Sequence, residues 1–181
     1  MRFKSLKKYI QIEGLEHIEE GFRRGRGIIF LGIHEGSWEL SNIISAQLGF
    51  TFRIFIRQQR YVRLNNLLNK YRIQKGCRII QKGNQLRQLI EALKNNEAVG
   101  MTADQGGRDG LLVDFFGKEA SMPLGAVRLA LKYGSTIIPV YYFRVKGPYI
   151  KIIIHPPVQL QKSADEKKDI RQNLQEIVRL F

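Results

Sequence analysis

A single cysteine, Cys77, occurs among the 181 residues. No intrachain disulfide can form, and a reducing compartment is expected. Acidic side chains are scarce as well. Sixteen Asp and Glu stand against 30 Lys and Arg, and the resulting net charge of +14 implies an anionic partner: nucleic acid, a negatively charged bilayer surface or an acidic protein. Long apolar runs are missing. Runs such as residues 28–33 and 136–143 fall well short of the roughly 20 residues that a membrane-crossing helix needs, and the basic start MRFKSLKKYI leads into no signal-peptide core. There is no metal-ligand cluster, phosphate-binding glycine loop or dinucleotide fingerprint, so no metal or cofactor is expected. What is present suits a folded domain: 44% apolar and 25% charged residues, without repeats or low-complexity segments. The length fits one domain spanning 1–181.

Apolar periodicity alternates between strand and helix. Leu15, Ile18 and Phe22 mark a helix within 14–25, and Gly25 and Gly27 release the chain into IIFLGI, a buried strand. Ser37 is placed to cap a helix over about 38–47, which Gly49 ends before the strand FRIFI. Leu64, Leu67, Leu68 and Tyr71 mark another amphipathic helix. A short strand at 77–80, a helix over 84–94 and a strand at 97–102 follow. After a turn-rich stretch at 104–110 come a helix over 124–133, the strands TIIPVYYF and YIKIIIH, and a C-terminal helix from about Asp165. This order predicts an α/β fold, a mostly parallel central sheet flanked by helices with an antiparallel C-terminal edge. Sites in such sheets gather at the carboxyl ends of strands, here just after FLGI, FIR and MTAD.

Three polar residues occupy those ends: His34, Arg57 and Asp104. In HEGSWE, His34 sits on the turn and Glu39 in the first turn of the next helix, where a glycine-containing bend lets them meet. A carboxylate bonded to one imidazole nitrogen fixes the tautomer, so that the other nitrogen can take a proton. His34 then reads as a general base for a hydroxyl that attacks an acyl carbonyl directly, with Glu39 as its partner; a satisfied histidine at a strand end is the other reading. Asp104 and Gln105 precede two glycines and also read as a simple turn. Between Arg53 and Lys94, eleven Lys and Arg face one acid, Glu91, which suggests a docking surface for lipid headgroups, substrate phosphates or an acidic carrier. Pro139 inside TIIPVYYF suggests a bulge or an edge. Phe115, Phe116, Tyr141, Tyr142 and Phe143 read as core more than groove, and His17 and His155 as structural.

GLEHIEEGFRRGRGIIFLGIHEGSWEL, then IFIRQ, GMTADQGG and FFGKEASMPLGAVRLALKYGSTIIPVYY, resemble in order the bacterial lipid A biosynthesis acyltransferases, relatives of the glycerophosphate acyltransferases. The resemblance implies a glycerophosphate-acyltransferase-like fold and makes His34 and Glu39 the family's His-x4-acid catalytic pair. Arg57, Asp104 and Gln105 match its arginine and Asp-Gln blocks, as substrate contacts. It further implies acyl carrier protein as donor, a phosphorylated glycolipid (a lipid A precursor) as acceptor, no nucleic acid, and a peripheral place on an anionic membrane surface, the cytoplasmic face of the bacterial inner membrane. Another glycolipid acceptor, such as a phosphoinositide mannoside, an inactive membrane-binding remnant and a basic nucleic-acid-binding module remain as alternatives. The chain reads Gly-Ser-Trp-Glu where the family commonly has Asn in place of Ser, and Ile56-Arg57-Gln58 where it has Tyr-Arg-Pro. The expectation is a catalytic domain without the family's N-terminal membrane anchor and C-terminal tail.

Overall fold

The structure, a computed structural model, describes residues 7–36, 38–56, 59–80 and 84–181. The strand IIFLG forms β2 (Ile28–Gly32), buried along its whole length at the centre of a seven-stranded sheet. An unbroken apolar run is what a strand covered on both faces requires. On one side β2 pairs in parallel with β5 (Ala98–Thr102), then β3 (Phe52–Ile54) and β4 (Arg78–Ile79). On the other side it pairs in parallel with β8 (Thr136–Lys146), which turns back antiparallel into β9 (Tyr149–Ile154). The antiparallel pairing is thus where the sequence puts it, but β1 (Ile10–Glu13) adds outside β9 and forms the edge. Pro139 corrects its own expectation. It lies in an interior strand, at the last pair of the β2–β8 register, where its carbonyl still accepts from His155 N–H at 2.9 Å.

Alternation along β2 divides the core in two. Ile29 and Leu31 pack beneath α4 (Gln85–Lys94), α5 (Gly125–Tyr133) and α6 (Glu166–Val178) through Leu93, Val127 and Leu174. Ile28 and Phe30 pack on the other face with Ile18 of α1 (Leu15–Arg23) and Ile44 of α2 (Trp38–Ala46). Each fully buried isoleucine in these layers contributes roughly 1.5–3 kcal/mol of transfer free energy. A separate two-stranded hairpin, β6 (Leu111–Phe115) and β7 (Lys118–Met122), follows β5.

One helix turns most of its apolar stripe away from the core. In α3 (Val62–Gln74), Leu64, Leu67 and Tyr71 point outward and are exposed. Its inward face carries Asn65 and Arg72, both buried, with Asn69 and Leu68 partly covered. The apolar spacing does mark a helix, but three of its four residues, Leu64, Leu67 and Tyr71, lie on the face that does not meet the core.

Candidate active site

The register of β2 with β5 positions the central pair. Gly32 lies opposite Thr102, and Ala103 N–H still donates to the Gly32 carbonyl at 2.9 Å, so two residues further His34 comes beside Asp104. His34 Nδ1 lies 2.8 Å from Oδ1 and 3.1 Å from Oδ2 of Asp104, and His34 N–H donates to Oδ2 at 2.9 Å. An ionised carboxylate only accepts, so Nδ1 carries the hydrogen and Nε2 is left with the free lone pair. The ring stands edge-on to Trp38 with centroids 4.8 Å apart. The turn itself is pinned by Gly36, whose φ is 52° and where a Cβ would lie 1.9 Å from the Tyr142 carbonyl oxygen.

Glu39 engages a different partner. Arg72 donates to it in bidentate fashion, Nε to Oε1 at 2.6 Å and Nη2 to Oε2 at 2.8 Å, and also reaches Asn69 Oδ1 at 3.0 Å. The expected hydrogen bond from Glu39 to His34 is corrected accordingly: both Glu39 oxygens are taken by a guanidinium, and the carboxylate that holds the imidazole is that of Asp104. Asp104, expected to contact substrate, has both oxygens committed to His34. Arg57 and the expected helix cap Ser37 lie outside the described residues. Sequence reasoning missed Arg72, although Asn65, Asn69 and Arg72 recur at helical spacing and already trace a polar face. It also missed the His34–Asp104 bond, for which parallel pairing of FLGI with MTAD was the available signal.

His34, Trp38 and Arg72 border a cleft of about 600 Å³, a size that holds a lipid tail or another small-molecule substrate. Phe52, Ile54, Gly100 and Met101 make much of it apolar, while His34, Gln105 and Arg72 supply polar walls. Gly100 makes room for the Phe52 ring on this wall, since a Cβ there would lie 2.8 Å from it. Neither of the other acidic hydrogens nearby is available near neutrality. Burial pushes the Cys77 thiol up to about 11, and its Sγ donates to the Asn42 carbonyl at 3.3 Å. Burial likewise pushes the Tyr142 hydroxyl up to about 12, against the opposing effect of hydrogen bonds with Ser41 and Ser45.

Residues 1–181 match the family model described as bacterial lipid A biosynthesis acyltransferase. The chain belongs to this family. A lipid A biosynthesis acyltransferase of Haemophilus influenzae is 27% identical over 168 residues, covering 90% of this chain and 52% of that protein. A phosphatidylinositol mannoside acyltransferase of Mycobacterium tuberculosis is 28% identical over 142 residues, covering 75% of the chain and 45% of the relative. Its counterpart in Mycolicibacterium smegmatis is 25% identical, with 75% and 46% covered. The chain therefore spans about half the length of these curated relatives.

In this lipid A acyltransferase family member, the basic segment is less uniform than its sequence. Arg53 and Arg78 both reach Glu97, Arg72 is held by Glu39, and Arg87 pairs with Glu91 at 2.9 Å. Arg60, Arg63 and Lys70 face no carboxylate among the described residues. Among those residues, no helix is long and apolar enough to cross a membrane.

Proposed function

We propose that the chain transfers a fatty acyl group from acyl carrier protein to a hydroxyl of a phosphorylated glycolipid, with His34 as general base and Asp104 as its positioning partner. The observation that carries this reading is the Nδ1 contact with Asp104 at 2.8 Å beside a cleft large enough for an acyl chain. Nε2 takes the proton of the acceptor hydroxyl as its oxygen attacks the thioester carbonyl. The tetrahedral intermediate collapses, the C–S bond breaks, and the departing thiolate recovers the proton from Nε2. Asp104 stays ionised throughout and stabilises the imidazolium formed in between. With Cys77 buried and its thiol held protonated, direct attack is favoured over an acyl-enzyme. In this reading Glu39 acts through Arg72, as a brace between α2 and α3 at the cleft wall. Gln105, also on that wall, contacts the acceptor, and Arg57 is retained as a phosphate contact on its sequence position alone.

A lipid A precursor is the first choice of acceptor, because the family model spans the whole chain. The mycobacterial relatives, at up to 28% identity, favour a phosphatidylinositol mannoside as the second. Both are phosphorylated glycolipids, so the chemistry required of His34 is the same. The test is acyl transfer by the purified chain from labelled acyl carrier protein, with each acceptor in detergent micelles and the ester product identified by mass spectrometry. The parent protein is expected to form product with one acceptor, and His34→Ala, folded to the same thermal stability, to form none. Product formation by His34→Ala at the parental rate contradicts the mechanism, and no transfer to either acceptor contradicts the function.

A further inference from the structure

A helix on a protein surface ordinarily turns its apolar stripe inward and its polar face to water. Helix α3 does the opposite. Its inward positions are Asn65, Asn69 and Arg72, tied to Gln59, Glu39 and one another by hydrogen bonds. Leu64, Leu67 and Tyr71 form a continuous outward stripe at spacings of three and four, and Leu67 is 65% exposed. Val62, Ile73 and the preceding Tyr61 are exposed as well. Exposed apolar area of this extent marks a surface that another phase or molecule covers.

The charges say what covers it. Between Gln59 and Gly76 there is no acid, while Arg60, Arg63 and Lys70 flank the apolar stripe with no carboxylate facing them among the described residues. A second copy of the chain would bring the same bases against these, and like charges would oppose the contact. An acidic protein surface would satisfy the bases but not the leucines. An anionic bilayer satisfies both, because leucine and tyrosine side chains enter the acyl boundary while arginine and lysine reach phosphates at the headgroup level. Position agrees with chemistry: Arg72 of α3, and Phe55, Ile56 and Gln59 just before it, line the cleft that holds His34.

We infer that α3 is the membrane-docking element, lying in the plane of an anionic bilayer with Leu64, Leu67 and Tyr71 inserted, so that the cleft opens at the lipid interface. The inference rests on the lipid acceptor proposed above and adds the surface and orientation by which that acceptor is reached.

The test is sedimentation of the chain with vesicles of phosphatidylcholine alone and of equal phosphatidylcholine and phosphatidylglycerol. Binding is expected only to the mixed vesicles and should weaken as salt rises. Leu67→Ser with Tyr71→Ser should lower the partition coefficient at least about tenfold, and Arg63→Gln with Lys70→Gln about fivefold per base. Both pairs are exposed, so melting temperature should be unchanged. Leu112→Ser with Phe116→Ser, exposed apolar residues of the β6–β7 hairpin, serves as control and should bind as the parent does. Parental binding by either α3 pair overturns the inference. So does equal binding to neutral vesicles, an equal loss in the hairpin variant, or a parental dimer in sedimentation equilibrium that Leu67→Ser with Tyr71→Ser disperses. Vesicle binding needs no turnover: α3-dependent binding by a protein that transfers no acyl group supports the docking face while the catalytic reading falls.

Discussion

His34 and Asp104 are 70 residues apart in sequence, yet the carboxylate touches both the ring and the backbone N–H of the histidine. Two contacts fix position and tautomer together, whereas Glu39 only shares a motif with His34. The division of labour between these two acids can be measured. Glu39→Ala leaves the Arg72 guanidinium, 5% exposed, without its bidentate partner. Breaking a fully buried pair costs roughly 3–5 kcal/mol, and a loss of about 2 kcal/mol is expected here because Glu39 keeps contact with solvent. Urea denaturation checks it, and a change within about 0.5 kcal/mol would mean that the brace carries no stability. The sequence made His34 legible as a residue on a strand end. Its partner was not legible, because a motif counts neighbours along the chain while the register of β2 with β5 brings together residues that no local spacing connects.

Among the elements, those whose apolar stripe meets the core were readable. Helices α4 and α6 lie where the sequence places helices, over 84–94 and from about Asp165, and they bury Leu89 and Leu93 and Leu174 and Ile177 respectively. Helix α3 was readable as a helix but not in orientation, because a stripe announces a covered face without saying whether protein or lipid covers it. Strand β1, with two half-buried isoleucines and two exposed polar residues, and β7, with the polar sequence KEASM, carry too little apolar signal to stand out from loops. The hairpin joining β6 to β7 is likewise hidden, since its two-residue turn uses Phe116 and Gly117 at φ 53° and 77° in place of the usual Asn-Gly. Helix α6 gives a test at this scale. Asp165 caps it by accepting from Lys168 N–H at 3.0 Å, and Asp169 accepts from both N–H and Oγ of Ser163 at 2.7 Å. The Ser163 bonds hold the Asp169 carboxyl below its ordinary value of 3.8. A depressed carboxylate contributes stability above its unfolded pKa and loses it as pH falls through the folded one. Asp169→Asn should therefore melt below the parent at pH 7, with the gap closing as both are taken below pH 3.8. A gap that is the same at every pH would show that the ionised form is not what stabilises the loop.

For the molecule as a whole, the sheet sets the His34–Asp104 pair, the cleft and the basic, apolar outer face of α3 along one connected region. The net charge of +14 points to an anionic partner but not to which one, and the docking face proposed on α3 names an anionic bilayer. The proposed mechanism depends first on the imidazole being held by Asp104, and acyl transfer by Asp104→Asn measures this most directly. The substitution keeps size and removes the charge that orients Nδ1–H, so kcat should fall about 10²- to 10⁴-fold with KM and melting temperature nearly unchanged. A folded Asp104→Asn protein that turns over at the parental kcat would contradict the account.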